Sequence, residues 1–241
     1  MSMVLSFAFL AAAQVAQPSQ PVVQMTGPNG VTSTMPLELG GMDARLSQAS
    51  DLVAKGQPAA ALPLIDQVIA EFEGKYRSST RTVYYSARSM EEGFIYSTLA
   101  GMANRNGVVL NGDWATAYFL KGFALVDLNR SDEAIRWFDK AAVLAPMNAQ
   151  VLAERAEWYK NRRDWKKAYR EFESARSAAG FAADDAKARE EGRAIRGMAF
   201  VRIEQGKLDE AERLLGEALK LDPTDQRARD ELATIATMRK R

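Results

Sequence analysis

The chain runs to 241 residues, 47% of them hydrophobic, which is enough for one or two ordinary domains with a sizeable core. Lys and Arg number 32 against 31 Asp and Glu, a net charge of +1 that supplies no field to draw the chain onto nucleic acid or an anionic membrane. There is no cysteine and no histidine, which excludes disulfides, thiolate or imidazole metal sites, Cys nucleophiles and Ser-His-Asp triads.

In chain order, "MSMVLSFAFLAAAQVAQPSQ" comes first, an apolar run from Met3 to Ala13 in which Ala11 and Ala13 form an A-x-A pair. That is the shape of a secretory signal peptide over residues 1–16, cut after Ala13 or Ala16, and too short to span a bilayer. A periplasmic or secreted protein is expected. The n-region has no Lys or Arg, so an uncleaved apolar tail on a cytoplasmic protein is the alternative. No integral membrane span is expected elsewhere. Residues 17–41 are rich in Pro, Gly, Ser, Thr and Gln and show no helical period, so they are expected to be a flexible linker, with "GPNG" at Gly27–Gly30 as turn chemistry inside it.

From Met42 onward apolar residues recur at three- and four-residue spacing, the mark of amphipathic helices. A longer period overlies that one. Ala134 and Ala168 stand 34 residues apart, as do Ala141 and Ala175, Gly122 and Ala156, and Phe138 and Phe172. Ala134 and Ala211 are 77 apart, two such units plus nine residues, and "ADDAKAREE" (Ala183–Glu191) is an Ala-rich, acidic run suited to lengthening the next helix by those nine. Units are expected at 42–75, 115–148, 149–182 and 192–225, and an irregular helical pair at 81–114. A helix over 226–241 should close the array, apolar through Leu232, Ile235 and Met238. Pro146 and Pro223 end two second helices, and Ser131, Asp132 or Asp209 are candidate caps for them.

The small and large residues that carry this period (Tyr118, Gly122, Leu125, Ala134, Phe138, Ala141 and Pro146 in the best unit) resemble the tetratricopeptide repeat family. The resemblance covers roughly 180 of the 241 residues. It implies an all-α fold, an α-solenoid of helix-turn-helix repeats with a C-terminal capping helix. Small residues let helices cross closely, and stacked units leave a concave groove lined by the first helix of each. On that basis the partner-binding groove is expected at Phe119, Phe123 and Asp127 from one unit, Glu157, Lys160 and Asn161 from the next, and Arg193, Arg196 and Phe200 from the last. Packing of Phe119, Phe123 and Phe200 on a neighbouring unit is the competing reading. The Asn/Lys/Arg carboxylate clamp of chaperone-binding relatives is not reproduced, because Phe119 and Phe123 stand at its first-unit polar positions.

Nothing in the sequence marks catalysis, a cofactor or a metal. Gly101–Gly107 lacks the Lys-Ser/Thr of a phosphate loop, and pairs such as Asp184 with Asp185 are expected on solvated helix faces. "KNRRDWKKAYR" (Lys160–Arg170) reads either as an anion-binding patch or as an exposed turn whose Trp165 packs inward. The function expected is a non-catalytic scaffold holding a peptide or helix of a partner protein. The alternatives are a self-assembling module of an envelope complex, pairing through Tyr84, Tyr85, Phe94 and Tyr96, and a small-molecule or glycan binder.

Overall fold

Ten helices and five strands make up the regular structure of the described residues, 5–8, 21–27 and 29–240 of this computed structural model. The chain divides into two units, Met1–Ala145 and Pro146–Arg241.

The first unit opens on strands β1 (Leu5–Ala8), β2 (Val22–Thr26) and β3 (Thr32–Pro36). Helices α1 (Ala44–Ala54) and α2 (Pro58–Lys75) follow, then β4 (Thr82–Ala87), α3 (Met90–Met102), β5 (Asn106–Asn111), α4 (Asp113–Asp127) and α5 (Ser131–Leu144). The five strands form one sheet in the order β1-β2-β3-β5-β4.

This sheet corrects two expectations. Residues 17–41 are not a linker where they are described. Val23 and Met25 on β2, and Ser33 and Met35 on β3, alternate inward, and the strands pair antiparallel with Val23 opposite Met35. The "GPNG" turn joins them: Gly27 N–H donates to the Val31 carbonyl at 2.9 Å, and Gly30 takes a φ of +74° that favours glycine. Likewise 81–114 is a β-α-β unit rather than an irregular repeat. β4 and β5 run parallel over six residue pairs, β3 joins β5 in parallel, and α3 packs on all three strands. Two glycines set that distance. A Cβ on Gly93 would lie 2.2 Å from Met35 Sδ, and one on Gly107 2.8 Å from Ala100 Cβ. Ser89 caps α3, and the buried Glu92 carboxylate accepts the Arg88 guanidinium at 2.7 Å. Of the expected leader, Leu5–Ala8 form β1 against β2; Ala13 and Ala16 lie outside the described residues.

The β-α-β insertion does not interrupt the helical stack. Helices α1 and α2 both pack on α4, where the rings of Phe72 and Trp114 stack at 5.7 Å and Tyr118 Oη donates to Glu73 at 2.6 Å.

The second unit is α6 (Ala149–Asn161), α7 (Trp165–Ala179), α8 (Asp184–Glu204), α9 (Leu208–Leu221) and α10 (Gln226–Met238). Helix α8 has 21 residues against 13 in α6, so the nine-residue insertion extends it at its N-terminal end. Ala228 and Ile235 of α10 are buried in the core that α9 completes, and α10 closes the stack.

The 34-residue period shows in both burial and backbone. Ala49, Ala61, Ala134, Ala141, Ala156, Ala168, Ala175, Ala199 and Ala211 are all fully buried. The turn inside each helix pair has the same form four times over. Gly56, Asn129, Arg163 and Gly206 take φ of +71°, +60°, +56° and +72° at equivalent positions. Each N–H donates to the carbonyl three residues back, and the next N–H to the carbonyl five residues back. This is the Schellman closure of a first helix. Asp132 and Asp209, considered as caps, instead lie in the first turns of α5 and α9, where their charge suits the helix dipole.

Arg163 carries a Cβ in a conformation that glycine adopts freely. Arg163→Gly is therefore expected to raise stability by about 1 kcal/mol, read as a higher urea midpoint at unchanged slope.

Candidate functional site: the first-helix faces of the repeats

In the first unit the expected groove positions lie on α4. Phe119 is half-buried and packs against the Leu125, Ala134 and Phe138 core, its ring 6.1 Å from that of Phe138 and 6.0 Å from that of Phe123. Phe119 is therefore largely a packing residue. Phe123 is half-buried beside it, and Asp127 is exposed at the end of the helix.

In the second unit α6, α8 and α10 bring five of the six expected residues together. Arg193 and Glu154 pair at 2.7 Å, joining α8 to α6. Lys160 forms an ion pair with Glu157, one turn earlier, and its Nζ stands 4.8 Å over the Phe200 ring. Trp165 lies 6.4 Å from Phe200. Arg196 bonds Asp225, the residue that caps α10 by accepting from Ala228 N–H. Asn161 is exposed at the end of α6, away from these pairs.

Two members of this cluster, Asp225 and Glu231, were not anticipated from the sequence. The Asp-x-x-Ala pattern ahead of an apolar run marks Asp225 as a cap. No spacing rule points to Glu231, because the repeat places its neighbour Asp230 at the groove position. The Glu231 carboxyl is half-buried, and its Oε2 has no hydrogen-bond partner and no exposure to water. Burial pushes it up to about 7, against the pull of Arg196 and Lys160 and with a push from Asp225 and Glu157.

This shift has a consequence for stability. Folded Glu231 keeps its proton to higher pH than an unfolded glutamate near 4.5. The folded state thus binds more protons between about pH 4.5 and 7, and stability falls as pH rises through that window. Glu231→Gln is expected to remove the slope, with a gain on the order of 1 kcal/mol at pH 8 after discounting for solvent screening. Urea denaturation at pH 5 and pH 8 measures it.

Part of the basic run Lys160–Arg170 is engaged locally. Besides the Lys160–Glu157 pair, Lys167 bridges Asp164 at 3.1 Å and the Arg162 guanidinium lies 3.6 Å from the Trp158 ring centre, while Trp165 packs on the core. Trp165 packing inward is what an inter-helix turn requires, while Arg163, Lys166 and Arg170 remain exposed.

Of the aromatics considered for self-assembly, Tyr85 and Tyr96 are buried with rings stacked at 5.3 Å, and Tyr84 leans on Tyr76 and Trp114; Phe94 is exposed. A cavity of about 470 Å³ in the first unit lies between residues 36–41 and the Phe72, Lys75 and Tyr76 end of α2. Phe119, Phe123 and Phe200, the residues considered for a small-molecule pocket, do not line it. Among the described residues no helix is long and apolar enough to cross a membrane, and no group of three or more His, Cys, Asp or Glu is placed to hold a metal ion.

The fold and these helix faces define a class, that of the helical-repeat solenoid. Residues 115–146, covering most of α4 and all of α5, match the tetratricopeptide repeat family. Similar solved structures include PilF of Pseudomonas aeruginosa, 14% identical over 82% of this chain and 68% of its own length, with a TM-score of 0.57. MamA from Desulfovibrio magneticus RS-1 is 15% identical over 83% of this chain and 88% of its own, at 0.53. At such identities the likeness is one of fold. No curated protein matches the chain significantly. The chain thus carries a tetratricopeptide repeat at residues 115–146, within a fold of stacked helix pairs.

Proposed function

We propose that this chain is a non-catalytic interaction scaffold that seats a peptide or helix of a partner protein on the first-helix faces of its repeats. The observation that carries the reading is the cluster on α6, α8 and α10. A half-buried aromatic, Phe200, stands there under Lys160, whose charge acts on Glu231 together with that of Arg196. An apolar anchor flanked by charges that fix direction is what a helix face needs to hold an extended or helical segment. Repeat solenoids in general serve as interaction modules, which agrees with a non-catalytic role. The Ala-rich, apolar N-terminus supports a site of action in the periplasm or cell envelope. If the leader is removed there, β1 goes with it and β2 becomes a sheet edge.

A photo-crosslinking amino acid placed in the full chain at Phe200 should trap a discrete adduct in cells, and the same group at Lys220 on the exposed side of α9 should not. Equal adducts from both positions, or none from Phe200, would refute the assignment. Fractionation of the same cells tests the location.

A further inference from the structure

The second unit's cluster leaves one charge over. Arg193 is committed to Glu154, Arg196 to Asp225 and Lys160 to Glu157. Glu231 remains, half-buried, with one carboxylate oxygen that neither water nor a protein donor satisfies. With Glu231 ionised, three carboxylates (Glu157, Asp225 and Glu231) share the two paired cations Lys160 and Arg196, and the exposed Arg227 stands one turn before Glu231 on its own helix. A buried acceptor left unmade costs about 1–3 kcal/mol, so a donor arriving from outside recovers that cost. Oε2 is closed to solvent, so the side chain must swing outward about its earlier torsions for an external donor to reach it. Phe200, under the Lys160 ammonium, and Trp165 near it supply apolar surface next to Lys160.

We propose that this face receives a lysine or arginine side chain of a partner segment, its cation donating to Glu231 while an adjacent apolar side chain rests on Phe200. The proposal deepens the scaffold reading, on which it rests, by naming the chemistry of the bound segment. An acidic segment would set a like charge beside Glu231, and Lys160 and Arg196, whose charges act on it, already serve Glu157 and Asp225.

Binding of this kind strengthens as pH rises through about 7, because Glu231 accepts the cation best when ionised. The charged groups around it are Glu157 and Lys160 from α6, Arg196 from α8, and Asp225 and the exposed Arg227 at the start of its own helix. On the α9 side, Asp209 and Glu212 are occupied by Arg239.

The test uses the full chain and two labelled synthetic peptides, one alternating Phe and Lys and one with Glu in place of each Lys, followed by fluorescence anisotropy. The lysine peptide is expected to bind about tenfold tighter than the glutamate peptide at pH 8, and to weaken at pH 6. Glu231→Gln should fold and lose that preference, and Phe200→Ala should weaken both peptides. A glutamate peptide that binds as well or better, or a preference that survives in Glu231→Gln, overturns the charge assignment and leaves the scaffold reading standing. Failure of both peptides to bind, together with no adduct from Phe200, removes both.

Discussion

Gly197→Leu is expected to destabilise the second unit by about 3 kcal/mol, enough to lower its thermal midpoint by roughly 12–24 °C. A Cβ at position 197 would lie 2.3 Å from Phe172 Cε1 and 2.5 Å from two further ring carbons. The ring cannot yield, because Phe172 is fully buried among Ala156, Ala168 and Ala199. The first unit repeats the arrangement: a Cβ on Gly122 would lie 2.6 Å from Phe138 Cε1, so Gly122→Leu should act in the same direction. Pairing Gly197→Leu with Phe172→Ala should restore part of the loss, because the leucine then enters the space the ring vacates. A coupling of about 1 kcal/mol or more, measured in a double-mutant cycle by thermal or urea unfolding, is the expected signature. Simple additivity would mean that the helix crossing does not depend on this contact.

Arg196→Ala carries the second large effect. The Arg196 and Asp225 side chains are 19% and 8% exposed, so the pair is mostly removed from solvent. Deleting the guanidinium strands the carboxylate that caps α10 and takes the nearest compensating charge from Glu231. The expected cost is about 2 kcal/mol, and it should fall on α10 first. Hydrogen exchange of the α10 amides should accelerate about 30-fold relative to those of α6 and α7. Uniform acceleration across the unit would show instead that α10 unfolds only with the whole. Arg196 therefore has a structural bond as well as a place on the candidate face. Loss of partner capture in Arg196→Ala would not by itself locate the partner, whereas Phe200→Ala and Glu231→Gln leave the Arg196–Asp225 bond in place.

Much of the helical array was legible because its signals are local. The 34-residue period of Ala134, Phe138 and Ala141 repeats at Ala168, Phe172 and Ala175, and each position proves fully buried or nearly so. The nine extra residues before Gly192 appear as a longer α8, as an Ala-rich acidic run should. The turns closing the first helices stand out at "AKGQP", "LNRSD", "NRRDW" and "EQGKL"; glycine takes the positive φ in two of them, Asn129, a residue that tolerates it, in the third and Arg163 in the fourth.

The strands were not legible, for a different reason. β2 turns only Val23 and Met25 inward and β3 only Ser33 and Met35, so their alternation is short and faint among the surrounding Pro and Gly. Their closing partner, β5, lies about 70 residues downstream. "TVYYSA" and "GVVL" have strand composition, but they lie inside 81–114, where the repeat phase predicts a helical pair.

The candidate site divided in the same way. Repeat phase placed Glu157, Lys160, Arg196 and Phe200 on neighbouring first-helix faces. It could not rank them, nor separate Phe119, which packs on Phe138, from Phe200, which sits under a lysine.

What the sequence by itself determined was the repeat: its period, its close helix crossings and the helix that ends it. Those follow from side-chain size and from hydrogen bonds made within a few residues. The sheet built into the first unit, and the meeting of Glu231 with Arg196 and Lys160, were decided only by tertiary structure. Strand pairing and burial of a carboxyl depend on residues distant in the chain, and no local pattern records which of them come together.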